Sequence, residues 1–149
     1  MKVGIFTLIF RNRSIQEAMR IAKDLGYDGI ELWGKEPHIS ANTTYERAVE
    51  IRELAEELGL EIACIGSYLG GFSVMSDAEC EETLEELKRY FQVMEWLGTD
   101  LIRVGPGGPH AFLAQDYHYA KAAYWMQRCG DLAEEHGIKL AMEIHNGSL

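Results

Sequence analysis

The sequence predicts an α/β fold, a partial (β/α) barrel of about five parallel strands and four helices. Three observations predict it. One joint recurs four times, in which a helix closes at a glycine and an apolar strand begins within a few residues. The copies read DLGYDGIEL (24–32), ELGLEIACI (57–65), WLGTDLIRV (96–104) and EHGIKLAME (135–143). The glycines of these joints, Gly26, Gly59, Gly98 and Gly137, lie 33, 39 and 39 residues apart, a period that holds one strand plus one helix. Such alternation requires a parallel sheet with right-handed crossovers. Finally, the segments leaving the carboxyl ends of the strands are long, whereas the opposite joints, such as Gly26-Tyr27-Asp28, are short. That asymmetry separates a functional face from a stabilising one.

The elements follow in order. Residues 3–10 (VGIFTLIF) form an apolar run suited to a strand buried on both faces. Ser14 and Glu17 make a capping box for a helix whose inner stripe is Ile15, Ala18, Met19, Ala22 and Leu25, closed by Gly26. Gly29–Trp33 is strand two. Thr43 and Glu46 read as a second capping box, opening a helix with Tyr45, Ala48, Val49, Leu54, Ala55 and Leu58 inward and Gly59 as its stop. Leu60–Gly66 is strand three. Ser76 and Glu79 form a third box ahead of a helix carrying Leu84, Leu87, Phe91, Met94 and Leu97 to Gly98. Leu101–Val104 is strand four, a helix runs roughly from Asp116 to His136, and Lys139–His145 is strand five. A full eight-unit barrel takes about 250 residues. Residues 1–149 are therefore expected to be one barrel domain that stops after strand five.

Composition narrows the function. The formal charge is −10 and the isoelectric point near 4.9, which disfavours both nucleic acid and anionic membrane as partners. No apolar run approaches the roughly 18 residues of a membrane span. Three cysteines without a CxxC pair, and no secretory signal at the start, predict reduced thiols in the cytoplasm. A small ligand fits this chain better than a polyanion.

Candidate chemistry sits where the strands end. Alternation along strand five puts Ala141, Glu143 and His145 on one face and Met142 and Ile144 on the other. A carboxylate beside an imidazole can bind a divalent metal or move protons, or else form a structural ion pair. Glu31, near the end of strand two, is either a supporting carboxylate or a partner for Arg103 of strand four. Arg103 suits a carboxylate or phosphate. His38 and His110 lie in strand-end loops as ligand contacts or as exposed side chains. Trp33, Tyr68 and Phe72 form an apolar wall for a sugar or ring, or pack the rim. The glycines of GPGGPH (105–110) suit either a backbone approach to a ligand or a tight turn.

The segments GYDGIELW (26–33), LIRVGPGG (101–108) and above all KLAMEIHNG (139–147), with the opening KVGIFTLIF (2–10), resemble the xylose isomerase-like TIM-barrel superfamily. The resemblance is to the N-terminal half of its sugar phosphate isomerase/epimerase members. It implies metal-assisted proton transfer next to a carbonyl of a small carbohydrate-like substrate. It further implies a divalent metal (Mn, Mg or Co, with Zn as a further option) held by four side chains on strands five to eight. Of those four, only Glu143 has a counterpart here, and His145 matches the histidine that follows it. Glu143 and His145 are thus the expected catalytic residues, with Trp33, His38, Tyr68, Arg103 and His110 expected on the substrate. Two other readings stand beside this one. A non-catalytic partial barrel would bind a ligand or partner chain. An endonuclease-like phosphodiester hydrolase would need strand-end histidines that GSYLG (66–70) and RVGPG (103–107) lack. Open edges on strands one and five predict a homo-oligomer.

Overall fold

All four glycine joints are helix stops of one kind. Gly26, Gly59, Gly98 and Gly137 have φ of 83°, 63°, 76° and 67°, the left-handed region that a side chain disfavours. In each, the glycine N–H donates to the carbonyl three residues back, and the next N–H to the carbonyl four before the glycine. The outer bonds are Tyr27 to Ala22, Leu60 to Ala55, Thr99 to Met94 and Ile138 to Ala133. This Schellman closure satisfies the last carbonyls of the helix and turns the chain into the next strand.

In the computed structural model, which describes residues 1–143 and 145–149, strands and helices alternate as predicted. The elements are β1 (Gly4–Phe6), α1 (Ile15–Asp24), β2 (Gly29–Trp33), α2 (Tyr45–Leu58), β3 (Glu61–Gly70), α3 (Asp77–Leu97), β4 (Leu101–Gly105), α4 (Asp116–Glu135) and β5 (Lys139–Met142). The five strands form one parallel sheet in the order β1-β2-β3-β4-β5. This is a partial TIM barrel. The helices cover one face, and there Ile30, Leu32, Ile65 and Ile102 are fully buried against Ile15, Met19, Ile51 and Leu87. Residues of the opposite, inner face, such as Glu31, Trp33, Arg103 and Gly105, are only half-buried. No helix among the described residues is long and apolar enough to cross a membrane.

Several boundaries differ from the sequence reading. Strand one ends at Phe6, and Thr7–Phe10 coil into a 3₁₀ turn. Thr7 causes the break: its Oγ1 accepts the Trp33 N–H at 2.8 Å, so a side chain replaces the next rung of the ladder. β1 itself is partly exposed rather than buried on both faces. The α2 cap is Thr44, whose side chain accepts from the Arg47 N–H. Thr43 instead folds back to accept the Ser40 N–H at 2.8 Å and is buried. Ala48, Leu54 and Ala55 are buried as read; Ile51, on the same stripe, is fully buried as well, whereas Tyr45, in the first turn, is exposed. Leu25 is exposed, because it already belongs to the helix stop.

β3 runs on to Gly70, where Gly70 pairs with Gly105 beyond an irregularity after Gly66. Ser67–Gly70, expected as loop, are therefore strand. A second 3₁₀ turn, Ala111–Leu113, precedes α4. β5 ends at Met142, and Glu143 continues the ladder by one bond, its N–H donating to the Val104 carbonyl at 3.1 Å. The predicted orientation of Ile144 lies outside the described residues.

Candidate functional site

Parallel register stacks the inner-face residues of successive strands into rows. Phe6 of β1 pairs with Glu31 of β2, Trp33 with Gly66 of β3, Gly66 with Arg103 of β4, and Arg103 with Ala141 of β5. All lie toward the carboxyl ends of the strands, where a parallel sheet carries its chemistry.

Arg103 is the centre of this row. Its Nε donates to Glu31 Oε1 at 2.9 Å, two strands away, with both side chains largely sheltered. Its guanidinium lies over the Phe6 ring, 4.9 Å from the centroid. On the other side its Nη1 forms an ion pair with Glu143 Oε2. The result is a carboxylate–guanidinium–carboxylate row across the inner face. Gly66 lets the row form. A Cβ there would lie 2.5 Å from Glu31 Oε1, 2.6 Å from Phe6 Cε2 and 2.8 Å from Arg103 Nη2. Any side chain would occupy the space the ion pair uses.

Above the row opens a cleft of about 620 Å³, lined by Phe6, Tyr68, Arg103, Glu143 and His145 among others. Two glycine-rich segments wall it, Gly70-Gly71 and Gly105–Gly108, and they approach closely enough that a Cβ on Gly107 would sit 2.5 Å from Gly71 Cα. The Ser73 hydroxyl donates to the Gly108 carbonyl and ties the two walls. At the rim Tyr68 is half-exposed, with Lys35 Nζ 4.3 Å above its ring. His145 is exposed, and its N–H donates to Ser148 Oγ at 3.1 Å.

The cleft thus gathers Tyr68, Arg103, Glu143 and His145. Trp33 and His38 do not line it. Their rings meet edge to face at 5.5 Å, and His38 is fully buried with Nδ1 2.9 Å from Thr7 Oγ1. Burial lowers the His38 pKa, which favours the neutral ring. Phe72 is fully buried and packs the core. His110 sits in the loop before α4, its ring tilted against that of Phe112 with centroids 4.4 Å apart, and does not line the cleft. The pairing of Glu31 with Arg103 was legible as one of two alternatives. Phe6 and Gly66 were not singled out, although a glycine inside a strand is a sign of close approach by another group.

The arrangement constrains the chemistry. Burial pushes the Cys64 thiol up to about 12, which disfavours the nucleophilic thiolate. Among the described residues no three His, Cys, Asp or Glu side chains cluster to hold a metal. The Glu143 carboxylate already has a counter-ion in Arg103. These residues alone do not fit a divalent metal, which takes three or more protein donors in a typical tight site. They do fit proton transfer and oxygen recognition: a carboxylate, an imidazole and an oriented guanidinium face one cleft.

The sequence profile of the family described as xylose isomerase-like TIM barrel matches residues 19–149. A 3-dehydroshikimate dehydratase from Bacillus anthracis is 25% identical over 154 aligned residues, covering 100% of this chain and 53% of that protein. A fructoselysine 3-epimerase from Escherichia coli O157:H7 is 51% identical over 41 residues, 28% of this chain and 15% of its own length. Two solved structures show the shared fold. The probable 3-DHS dehydratase AsbF of Bacillus anthracis superposes with a TM-score of 0.83 at 24% identity, over 100% of this chain and 54% of that one. The IolI protein, solved with a binding zinc atom, superposes with a TM-score of 0.74 at 16% identity, over 95% of this chain and 51% of that one. The chain spans about half the length of the dehydratase it matches end to end.

Proposed function

From the premise that this chain belongs to the xylose isomerase-like TIM barrel family, we propose that its strand-end cleft takes part in enzyme chemistry on a small, carbonyl-bearing, carbohydrate-like molecule. The reaction is proton transfer at the carbon next to the carbonyl, with isomerisation or epimerisation as the outcome. The observation that carries this reading is the convergence of Glu143, His145 and Arg103 on one cleft at the carboxyl ends of the strands. In this reading Glu143 takes the proton and His145 returns one, within reach of the same substrate carbon. Arg103 donates to the substrate oxygen that gains charge as the proton leaves. Tyr68 offers a flat apolar face to the sugar. Trp33 and His38 hold the strand-two end of the site, and His110, outside the lining of the cleft, would meet only a substrate that extends beyond it toward the β4–α4 loop.

The dehydratase match, which spans all of this chain and 53% of that protein, favours a second outcome, loss of water after the same first step. Both outcomes begin by removing a proton beside a carbonyl. Metal use belongs to the proposal only as a role for Glu143. Its carboxylate is one donor of a set that the described residues do not complete, and no step is routed through a metal. Residues 1–149 are taken as one sector of a single barrel domain, working in the cytoplasm and paired with further copies through the open sheet edges.

The test follows carbon-bound protons. The protein is incubated in heavy water with D-psicose, D-fructose or 3-dehydroshikimate, with and without Mn²⁺, and deuterium uptake next to the carbonyl is read by NMR. Uptake that falls at least about 100-fold in Glu143→Gln is the expected result. A folded, homogeneous sample that binds one of these compounds without exchanging any proton would establish the non-catalytic partial barrel instead.

A further inference from the structure

Arg103 is held in a seat made by three other strands. Glu31 of β2 grips Nε at 2.9 Å. The Phe6 ring of β1 lies under the guanidinium carbon, 4.9 Å from centroid to Cζ. Gly66 of β3 leaves the gap through which the Arg103 and Glu31 side chains meet, because a Cβ there would lie within 3.0 Å of both. A planar guanidinium gripped at Nε and packed on a neighbouring ring has its remaining N–H groups restricted in direction. Here that direction is toward Glu143 and the cleft.

We propose that Glu31 is a positioning residue, which with the gap at Gly66 aims the Arg103 guanidinium at the reacting end of the cleft. Glu31 does not line the cleft, so it acts through Arg103. A bare structural ion pair is a poor reason for this arrangement. Replacing a sheltered pair by apolar residues of similar volume is often neutral or stabilising. Glu31 also takes up the Arg103 charge. The site thereby receives a directed donor rather than a free cation, and Glu143 stays available to exchange its partner for substrate.

The inference rests on the proposed role of the cleft, so its test has two independent arms. The first needs no substrate. The Arg103 Nε–H resonance is followed by ¹H–¹⁵N NMR in the wild type, in Glu31→Gln and in Gly66→Ala. Its exchange with water is expected to be slow in the wild type and at least tenfold faster in both variants, with folding checked by circular dichroism. An Nε–H equally protected in all three proteins would overturn the proposal. The second arm is a double-mutant cycle on deuterium exchange or substrate binding. If Glu31 acts only through Arg103, then Glu31→Gln loses activity or binding in the wild-type background but adds nothing in the Arg103→Gln background, so the double variant loses the same factor as Arg103→Gln alone. Losses that multiply would show that Glu31 works independently and would also overturn the proposal. A wild type without any exchange or binding rejects the proposed function, whereas the NMR arm still decides the positioning role.

Discussion

His38 carries more information in its burial than in its chemistry. It is fully buried, shares a hydrogen bond with Thr7 and, among the described residues, has no hydrogen-bond partner for Nε2. Burial is the largest cause of its lowered pKa, followed by the raising effect of the Phe10 and Arg13 carbonyls. Arg47 adds a further lowering and Glu36 a raising. The sign of the linkage is set by this depression. Below the unfolded value of about 6.5, the unfolded chain binds a proton that the folded ring refuses. The contribution to stability is thus present above about pH 6.5 and lost as the pH falls below it. Thermal unfolding of the wild type is expected to lose more stability between pH 7 and 5 than that of His38→Gln, measured in the same buffers. Parallel pH profiles for the two proteins would count against a neutral buried histidine. Sequence placed this residue in the correct loop, but it could not report that the loop folds inward. The cause is Thr7, 31 residues earlier, whose hydroxyl meets the imidazole only after β1 and β2 have paired.

At the scale of elements, what sequence revealed was whatever a few neighbouring residues decide. The Ser14 and Ser76 capping boxes are formed as read, with each serine accepting from the amide three residues on and each glutamate bonding back. The four glycine stops were legible for the same reason, since each is closed by bonds spanning no more than five residues. Strand ends were less legible because their partners are remote. β1 stops early where Thr7 intercepts an amide of β2, and β3 extends because Gly70 finds Gly105 across the sheet. Within the candidate site the same division holds. Glu143 and Arg103 stand out as charges in apolar strands, whereas the gap at Gly66 has meaning only once Glu31 and Arg103 are seen to cross it. A local device should also have a local cost. Ser76→Ala removes the acceptor for the Glu79 N–H at the start of α3 and is expected to destabilise the protein by about 1 kcal/mol. Urea unfolding measures it, and an unchanged midpoint with an unchanged slope would show that the box contributes nothing.

The whole molecule leaves a face open. Among the described residues β1 pairs only with β2 and β5 only with β4, so the sheet has two free parallel edges. Beside the β5 edge Met142 is 54% exposed, and the neighbouring α4 region exposes Phe112 and Leu113, then Tyr117 and Tyr124 seven residues apart on one helix face. Beside the β1 edge Val3 and Ile9 are exposed. Unpaired strand edges and contiguous apolar surface both favour association, the first through backbone bonds and the second through burial from water. The net charge of −10 opposes close approach, but less so as salt screens it over about 8 Å at physiological ionic strength. Association is therefore expected at micromolar concentration, and it should strengthen from low salt to 0.3 M NaCl. Met142→Lys, a charge beside the free β5 edge, should weaken it while leaving the secondary structure intact. Sedimentation velocity across that salt range decides the matter: a single monomeric species at every concentration and salt level would mean that the edges are protected by the loops and turns already present.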